Sequence, residues 1–465
     1  MMTLCELHRA AREIFAAALR SVDAFDAVRR AIKLQNSHLK IEKTTIDFPL
    51  KPTGAYAISI GKAAFPMAAA LDEALGSNLI GGVVAGRAVV SPVHKKDALL
   101  PQRKVSARWK SFYGGHPLPN ESSLLAAQAS FALLDRANDE GALVIFLISG
   151  GGSALIEWPR DARITLEELR QANRALISCG ASIAEINAVR RAFSAVKGGA
   201  LAARAPFADQ LSLIISDTNE DDEANVASGP TYSSQTNLLD VHDVIERYDL
   251  ANHLPESVLR MIEQSSVTQN DLESERQRAH HVLSRNADAL QAAAEAARAR
   301  GFTVEIACDI NEQSIIEGCA ELLSHLDDLR RSDKPSSQQK FCLISGGEFA
   351  CPVQGHGLGG RNAETILRLA IELDGQAKKS VSDDRQPPDH IVALSVGTDG
   401  IDGNSPAAGA IADETTLERA RAINLTAQSF LKQSDAFTFF NALGDAVFTG
   451  PTGTNVRDLR IILTG

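Results

Sequence analysis

Apolar runs that end in glycine, serine, lysine or aspartate recur along this chain, and that recurrence narrows its possible folds more than any other feature. They are AISIGKAA (Ala57 to Ala64), GGVVAG (Gly81 to Gly86), LISGGGSAL (Leu147 to Leu155), LSLIISD (Leu211 to Asp217), LISGGE (Leu343 to Glu348) and IVALSVGTDGIDG (Ile391 to Gly403). Leucine and β-branched residues make each run a buried strand, and the small residues after it let the backbone turn sharply. Helical patterns lie between the runs, so βαβ units and a largely parallel sheet are expected. Ligands of open α/β sheets bind beyond the carboxyl ends of the strands, which makes Lys62, Asp217, Asp399 and Asp402 candidates for one crevice. The doubled LISGG phrase has the backbone chemistry of an anion site, suggesting two anionic ligands or two ends of one.

With 465 residues the chain exceeds one ordinary core, so two domains are expected. They are an N-terminal Rossmann-like α/β/α sandwich over 1–265 and a second α/β domain over 279–465, divided by the polar stretch Ser265 to Arg278. A net charge of −11 argues against a nucleic-acid partner. The six cysteines form no CxxC pair and fit a reducing, cytoplasmic setting. No apolar run is long enough to span a bilayer, and the N-terminus reads as a first amphipathic helix instead of a leader. A monomer or homodimer is expected. Pro92 to Lys110 reads as an insertion, and Arg330 to Lys340 and Asp374 to Asp389 as surface loops.

Thr165 to Glu168 has capping-box spacing and opens a helical pattern broken at Gly180 and closed by Gly198-Gly199. Arg190, Arg191 and Lys197 lie near its end, where they either complement the helix dipole or meet a ligand. Gly61-Lys62 lacks the glycine spacing and the following Ser or Thr of a P-loop, but leaves one ammonium at a strand end. Gly355 to Gly360 formally contains G-x-G-x-x-G, yet no acidic residue ends a strand some twenty residues on. Arg361, opening the next helical pattern, suits phosphate oxygens better. Asp217, Asp221, Asp222, Asp399 and Asp402 are oxygen ligands of the kind magnesium uses, or Asx-turn and cap residues. No Ser-His-Asp order or G-x-S-x-G elbow supports an acyl-transfer hydrolase. Phosphoryl transfer remains.

The chain resembles the glycerate 2-kinases of the MOFRL type over nearly its whole length. The shared motifs are GKAA, GHPLPNE (Gly115 to Glu121), SGGGSAL, VRRAFSAVKGGALA (Val189 to Ala202), VASGPT (Val226 to Thr231), SGGE, GLGGRN (Gly357 to Asn362), GTDGIDG and ALGDAVFTGPTGTNVRDLRIIL (Ala442 to Leu463). The resemblance implies a MOFRL-type C-terminal domain, an active site between domains, and γ-phosphoryl transfer from Mg-ATP to D-glycerate giving 2-phosphoglycerate. It implies Lys62 and Arg361 as phosphate-neutralising catalytic residues and Asp217 as base or magnesium ligand, while Asp399 and Asp402 are candidate metal ligands on their carboxylate chemistry. Ser149, Gly150, Gly151, Gly152, Ser153, Arg190, Lys197, Ser345, Gly346, Gly347 and Glu348 would bind glycerate or phosphate. Gly359, Gly360, Asn362, Thr398, Asp399 and Gly400 would bind the nucleotide.

Three departures stand out. Pro406 replaces an aspartate of the family's PTDAAGA, Glu220 a common glycine, and Ala363 the glutamine of GGRNQE. The alternatives are phosphorylation of the 3-hydroxyl, an NAD(P)H-dependent hydroxypyruvate reductase, an activity name some family members have carried, and a non-catalytic sensor of glycerate or phosphate.

Overall fold

The computed structural model describes residues 2–87, 100–101, 103–220, 222–232, 238–264, 276–332, 340–382 and 390–465. They divide into two compact units. An N-terminal unit takes Ala24–Val89 and Gln102–Ser284, and a C-terminal unit takes Met1–Asp23, Val90–Pro101 and Arg285–Gly465.

The N-terminal unit opens with the helix Ala24–Ala31, followed by a small antiparallel sheet of β1 (Ile32–Gln35), β2 (His38–Ile41) and β3 (Asp47–Pro49). Its main sheet holds β4 (Ala55–Ile60), β5 (Leu79–Gly86), β6 (Trp109–Tyr113), β7 (Leu143–Ser149), β8 (Gln210–Ile215) and β9 (Arg278–Ser284). All of these neighbours pair in parallel, in the order β6-β5-β4-β7-β8-β9. β4 and β7 are wholly buried, as central strands covered on both faces must be. The chain runs outward from β4 in one direction and from β7 in the other, so the order reverses between them. That reversal is the switch point where doubly wound sheets open a crevice. Ile60 pairs with Ile148, which brings the turns after both strands side by side.

The C-terminal unit has a sheet of β10 (Thr303–Ala307), β11 (Phe341–Ser345), β12 (Ile391–Gly397), β13 (Gly409–Asp413), β14 (Ala446–Val447) and β15 (Asp458–Thr464). Its order is β10-β11-β15-β12-β13-β14 and it is mixed, because the wholly buried β15 lies antiparallel between β11 and β12. The helix Leu4–Ser21 packs on this unit, against the helix Asn286–Arg298 and strands β12 and β15. A capping box between Thr3 and Glu6 starts it, and Leu7, Ile14, Phe15 and Leu19 are buried along one stripe.

The units thus divide the chain differently from a cut at 265–279. An amphipathic pattern announces that the first helix buries a face, but not against which sheet. β9 extends the N-terminal unit to Ser284, and β6 begins at Trp109, inside the stretch expected to be an insertion. The remainder of that stretch, apart from 100–101 and 103–108, lies outside the described residues, as do 265–275, 333–339 and 383–389.

Candidate active site

At the switch point two turns are bolted together. Ser149 Oγ donates to Ile60 O (3.2 Å) and accepts from Ala63 N (3.0 Å), while Lys62 N donates to Gly150 O (3.0 Å). Gly61 (φ +117°) approaches so closely that a Cβ there would stand 2.2 Å from Ser149 Oγ, and Gly151 (φ +75°) lies against the aliphatic stem of Lys62. Glycine at both positions is therefore a condition of the packing. Ser149 is fully buried and positions Lys62 through the backbone. One turn of helix, Gly152–Leu155, follows; a Cβ on Gly152 would meet Ala227 at 2.7 Å. Ser153 Oγ lies 2.8 Å from Ser228 Oγ. Asp217 is half-buried just beyond β8, the strand beside β7. Asp221 lies outside the described residues. Lys62, the glycine loop and Asp217 therefore share the carboxyl edge of one sheet.

Two basic residues expected to meet phosphate have other partners. Lys197 is 1% exposed and its ammonium is bound to Glu157, equally buried. Ser194 Oγ (2.6 Å) and Trp158 N (3.0 Å) also donate to Glu157. Burial lowers the Lys197 pKa while Glu157 opposes that fall. Arg190 Nε donates to Asn173 Oδ1 at 2.9 Å. Lys197 is a core cation, a correction to its expected role. A lysine near a helix end reads alike in either case, whereas Glu157 inside the apolar run ALIEW was the available signal of a buried pair.

In the C-terminal unit, Arg361 opens the helix Arg361–Ser382. Its Nε donates to Asp458 Oδ2 at 2.5 Å and its Nη2 reaches Glu348 Oε1 at 2.6 Å. Burial opposes the guanidinium charge, but Asp458 and Glu348 outweigh it and raise its pKa. Asn362 is buried and fully engaged: its amide donates to Asp458 Oδ1 (2.9 Å) and Asp402 Oδ1 (3.3 Å), and its carbonyl accepts from Ser395 Oγ (2.6 Å). Asp402 accepts Asn362 N at 3.0 Å and Ala363 N at 2.8 Å, one on each oxygen, and is 1% exposed. It is the helix's cap, supplied by a distant loop, which corrects its expected role as a metal ligand. Desolvation raises its pKa to about 7.

Thr398 is likewise turned inward, donating to Arg457 O at 2.6 Å and accepting Val456 N at 2.9 Å. Gly400 (φ +84°) packs on Gly450 O, and Asp399 Oδ1 accepts Ile401 N at 3.1 Å. Asn404 clamps the glycine loop, accepting Gly359 N (2.8 Å) and donating to Gly357 O (3.1 Å). Gly360 packs on Asp402. Pro406 is exposed beside these contacts, and Ala363 is buried in the core.

The second LISGG turn differs from the first. Gly347 N donates to Asn286 Oδ1 (3.2 Å), and Arg460 from β15 donates to the carbonyls of Gly346 and Gly347. Arg460 also lies 3.5 Å over the Phe349 ring, and burial lowers its pKa to about 10. Ser345, Gly346 and Gly347 are thus filled by their own chain, a correction to their expected ligand role. Glu348 alone of this group faces Arg361. Asp458 and Arg460, both missed, were marked in the sequence as charges inside the apolar strand DLRIILT.

The G-x-G-x-x-G segment does not sit in a dinucleotide unit. It begins ten residues after β11, and β15 runs antiparallel between β11 and β12. Among the described residues no three His, Cys, Asp or Glu side chains converge as a metal site, and no helix is long and apolar enough to cross a membrane.

Residues 10–263 match a family model described as a domain of unknown function (DUF4147), and residues 341–458 match the MOFRL family. A D-glycerate 2-kinase of Thermotoga maritima is 33% identical, with 87% of this chain and 89% of that protein aligned. Human glycerate kinase is 33% identical over 97% of this chain and 92% of its own. A putative hydroxypyruvate reductase of Agrobacterium vitis is 35% identical over 90% and 89%. The crystal structure of Thermotoga maritima glycerate kinase matches with a TM-score of 0.76 at 31% identity, covering 99% of this chain and 100% of that one. With both family models matched in order on a two-unit α/β frame, the chain belongs to the glycerate 2-kinase family.

Proposed function

We propose that the protein is an ATP-dependent D-glycerate kinase that yields 2-phosphoglycerate. The observation that carries this reading is the joined turn at the β4/β7 switch point, where a glycine loop and Lys62 share the carboxyl edge of the sheet with Asp217. Glycerate kinase relatives aligned over most of both chains support it. On the N-terminal unit Lys62 neutralises phosphoryl oxygens as a point charge; on the C-terminal unit Arg361, held at Nε and Nη2 by Asp458 and Glu348, offers its remaining N–H donors to phosphate. Asp217 takes the proton of the attacking hydroxyl. Magnesium brought with ATP would supply charge neutralisation and would need only one or two carboxylates from the chain; Asp217 on the N-terminal unit and Asp399 on the C-terminal unit are each a carboxylate that would hold it. Six free cysteines, two of them exposed, are in keeping with a cytoplasmic enzyme.

A phosphorus NMR time course with Mg-ATP and D-glycerate tests the reading. A 2-phosphoglycerate resonance growing with ADP is expected. A 3-phosphoglycerate resonance would move the site of transfer, and no ester at all would refute the kinase.

A further inference from the structure

We propose that Asn187 and Ser228 fix the polarity of the Ser153 hydroxyl, so that Ser153 Oγ accepts a hydrogen bond from a hydroxyl of the acceptor acid and donates none to phosphate. The proposal rests on D-glycerate being the acceptor, as argued above.

The argument begins with protons. A serine hydroxyl carries one proton and two lone pairs. Ser228 Oγ gives its proton to Asn187 Oδ1 at 2.8 Å. The 2.8 Å contact between Ser228 and Ser153 must then use the Ser153 proton. What Ser153 has left to present is a lone pair. Phosphate and carboxylate oxygens are acceptors, so Ser153 cannot serve them; of glycerate's groups, only the hydroxyls can donate to it.

The relay is fixed from behind. Ser228 is 1% exposed and Asn187 4%, whereas Ser153 is partly exposed beside Lys62's loop. Ala227 (φ +53°) and Ser228 (φ +62°) are consecutive non-glycine residues in the left-handed region, a conformation that persists only where surroundings impose it. They are imposed here: Gly198 N donates to Ser228 O (3.1 Å), Gly199 N donates to Gly229 O (2.7 Å), and Ala227 fills the space over Gly152. The strained VASG turn therefore serves to aim one hydroxyl. Asn187 and Ser228 are positioning residues; Ser153 is the group that meets substrate.

The test is calorimetric titration, without nucleotide, of wild type, Ser153→Ala, Ser228→Ala and the double variant. The ligands are D-glycerate, its two deoxy analogues D-lactate and 3-hydroxypropionate, and inorganic phosphate. Ser153→Ala is expected to weaken glycerate about tenfold or more, since the site loses its acceptor. It should weaken one deoxy analogue similarly and leave the other, which lacks the recognised hydroxyl, within about twofold. Ser228→Ala should weaken glycerate by itself but add nothing in the Ser153→Ala background. Equal loss for both analogues, weakened phosphate binding, additive effects or unchanged glycerate binding would each overturn the proposal. Melting temperatures of the variants separate a folding defect from a lost contact. Wild type that binds glycerate but never phosphorylates it refutes the kinase and leaves this assignment standing; wild type that binds none of the acids refutes both.

Discussion

Asp402 holds Asn362 at the first turn of a helix it does not belong to, with the amide 3.0 Å from Oδ1. The same carboxylate caps Ala363, and its burial raises its pKa from 3.8 to about 7. Between those values the folded chain keeps a proton that the unfolded chain has lost. The corresponding stability is fully present below about pH 3.8 and is lost as pH rises through about 7. Asp402→Asn keeps an acceptor but does not titrate. Urea unfolding at pH 5 and pH 8 should show wild type losing about 2–3 kcal/mol relative to the variant between the two conditions. A difference that is flat with pH would remove the proton from this account.

Lys197 and Glu157 form the one pair in which each side chain is 1% exposed, among the described residues. Removing one partner leaves a charge with neither water nor a counter-ion, so Lys197→Met should cost about 3–5 kcal/mol in denaturant unfolding. Lys197→Met with Glu157→Leu should recover most of that loss. If the single variant lost phosphoryl transfer at unchanged stability, Lys197 would be a ligand after all.

The strand ends were legible because glycine, lysine and aspartate after apolar runs have a local cause. The parallel N-terminal sheet followed from them. What each polar group is bonded to was not legible, because Ser149, Asp402 and Thr398 are engaged by residues distant in sequence. The two LISGG turns show the limit most plainly. The first faces Lys62's loop and the second is stitched shut by Asn286 and Arg460, yet their sequences are the same for five residues. Only the strand laid beside each one distinguishes them. For the second, that strand is β15, whose alternate residues Asp458 and Arg460 share a face.

Arg361 tests the division between charge and geometry. Asp458 and Glu348 hold its fork at Nε and Nη2, an arrangement a lysine cannot copy. Arg361→Lys keeps the positive charge, so a loss confined to geometry should lower kcat by about 10²-fold. Arg361→Met should lower it further, while the thermal midpoint follows Asp458's loss of its partner. Steady-state kinetics with Mg-ATP and D-glycerate decide it. Equal kcat in the lysine variant and wild type would show that point charge suffices there.

The first helix provides the remaining prediction, since it lies at the N-terminus yet packs in the C-terminal unit. Ile14 and Phe15 are 0% and 2% exposed, and His8 Nε2 lies 2.7 Å from Asp413 Oδ2. Thr454 Oγ1 donates to Val22 O at 2.8 Å, tying the end of the helix to the loop before β15. Ile14→Ala should therefore destabilise the C-terminal unit by about 2–5 kcal/mol through the cavity it leaves. Limited proteolysis should show new cuts within 285–465 before any within 24–284. Because Arg361, Asn362 and Asp458 are carried on that same unit, the variant should also lose activity at temperatures where the β4/β7 sheet still protects its amides from hydrogen exchange. Cuts appearing first in the N-terminal unit would mean that the helix supports the other sheet.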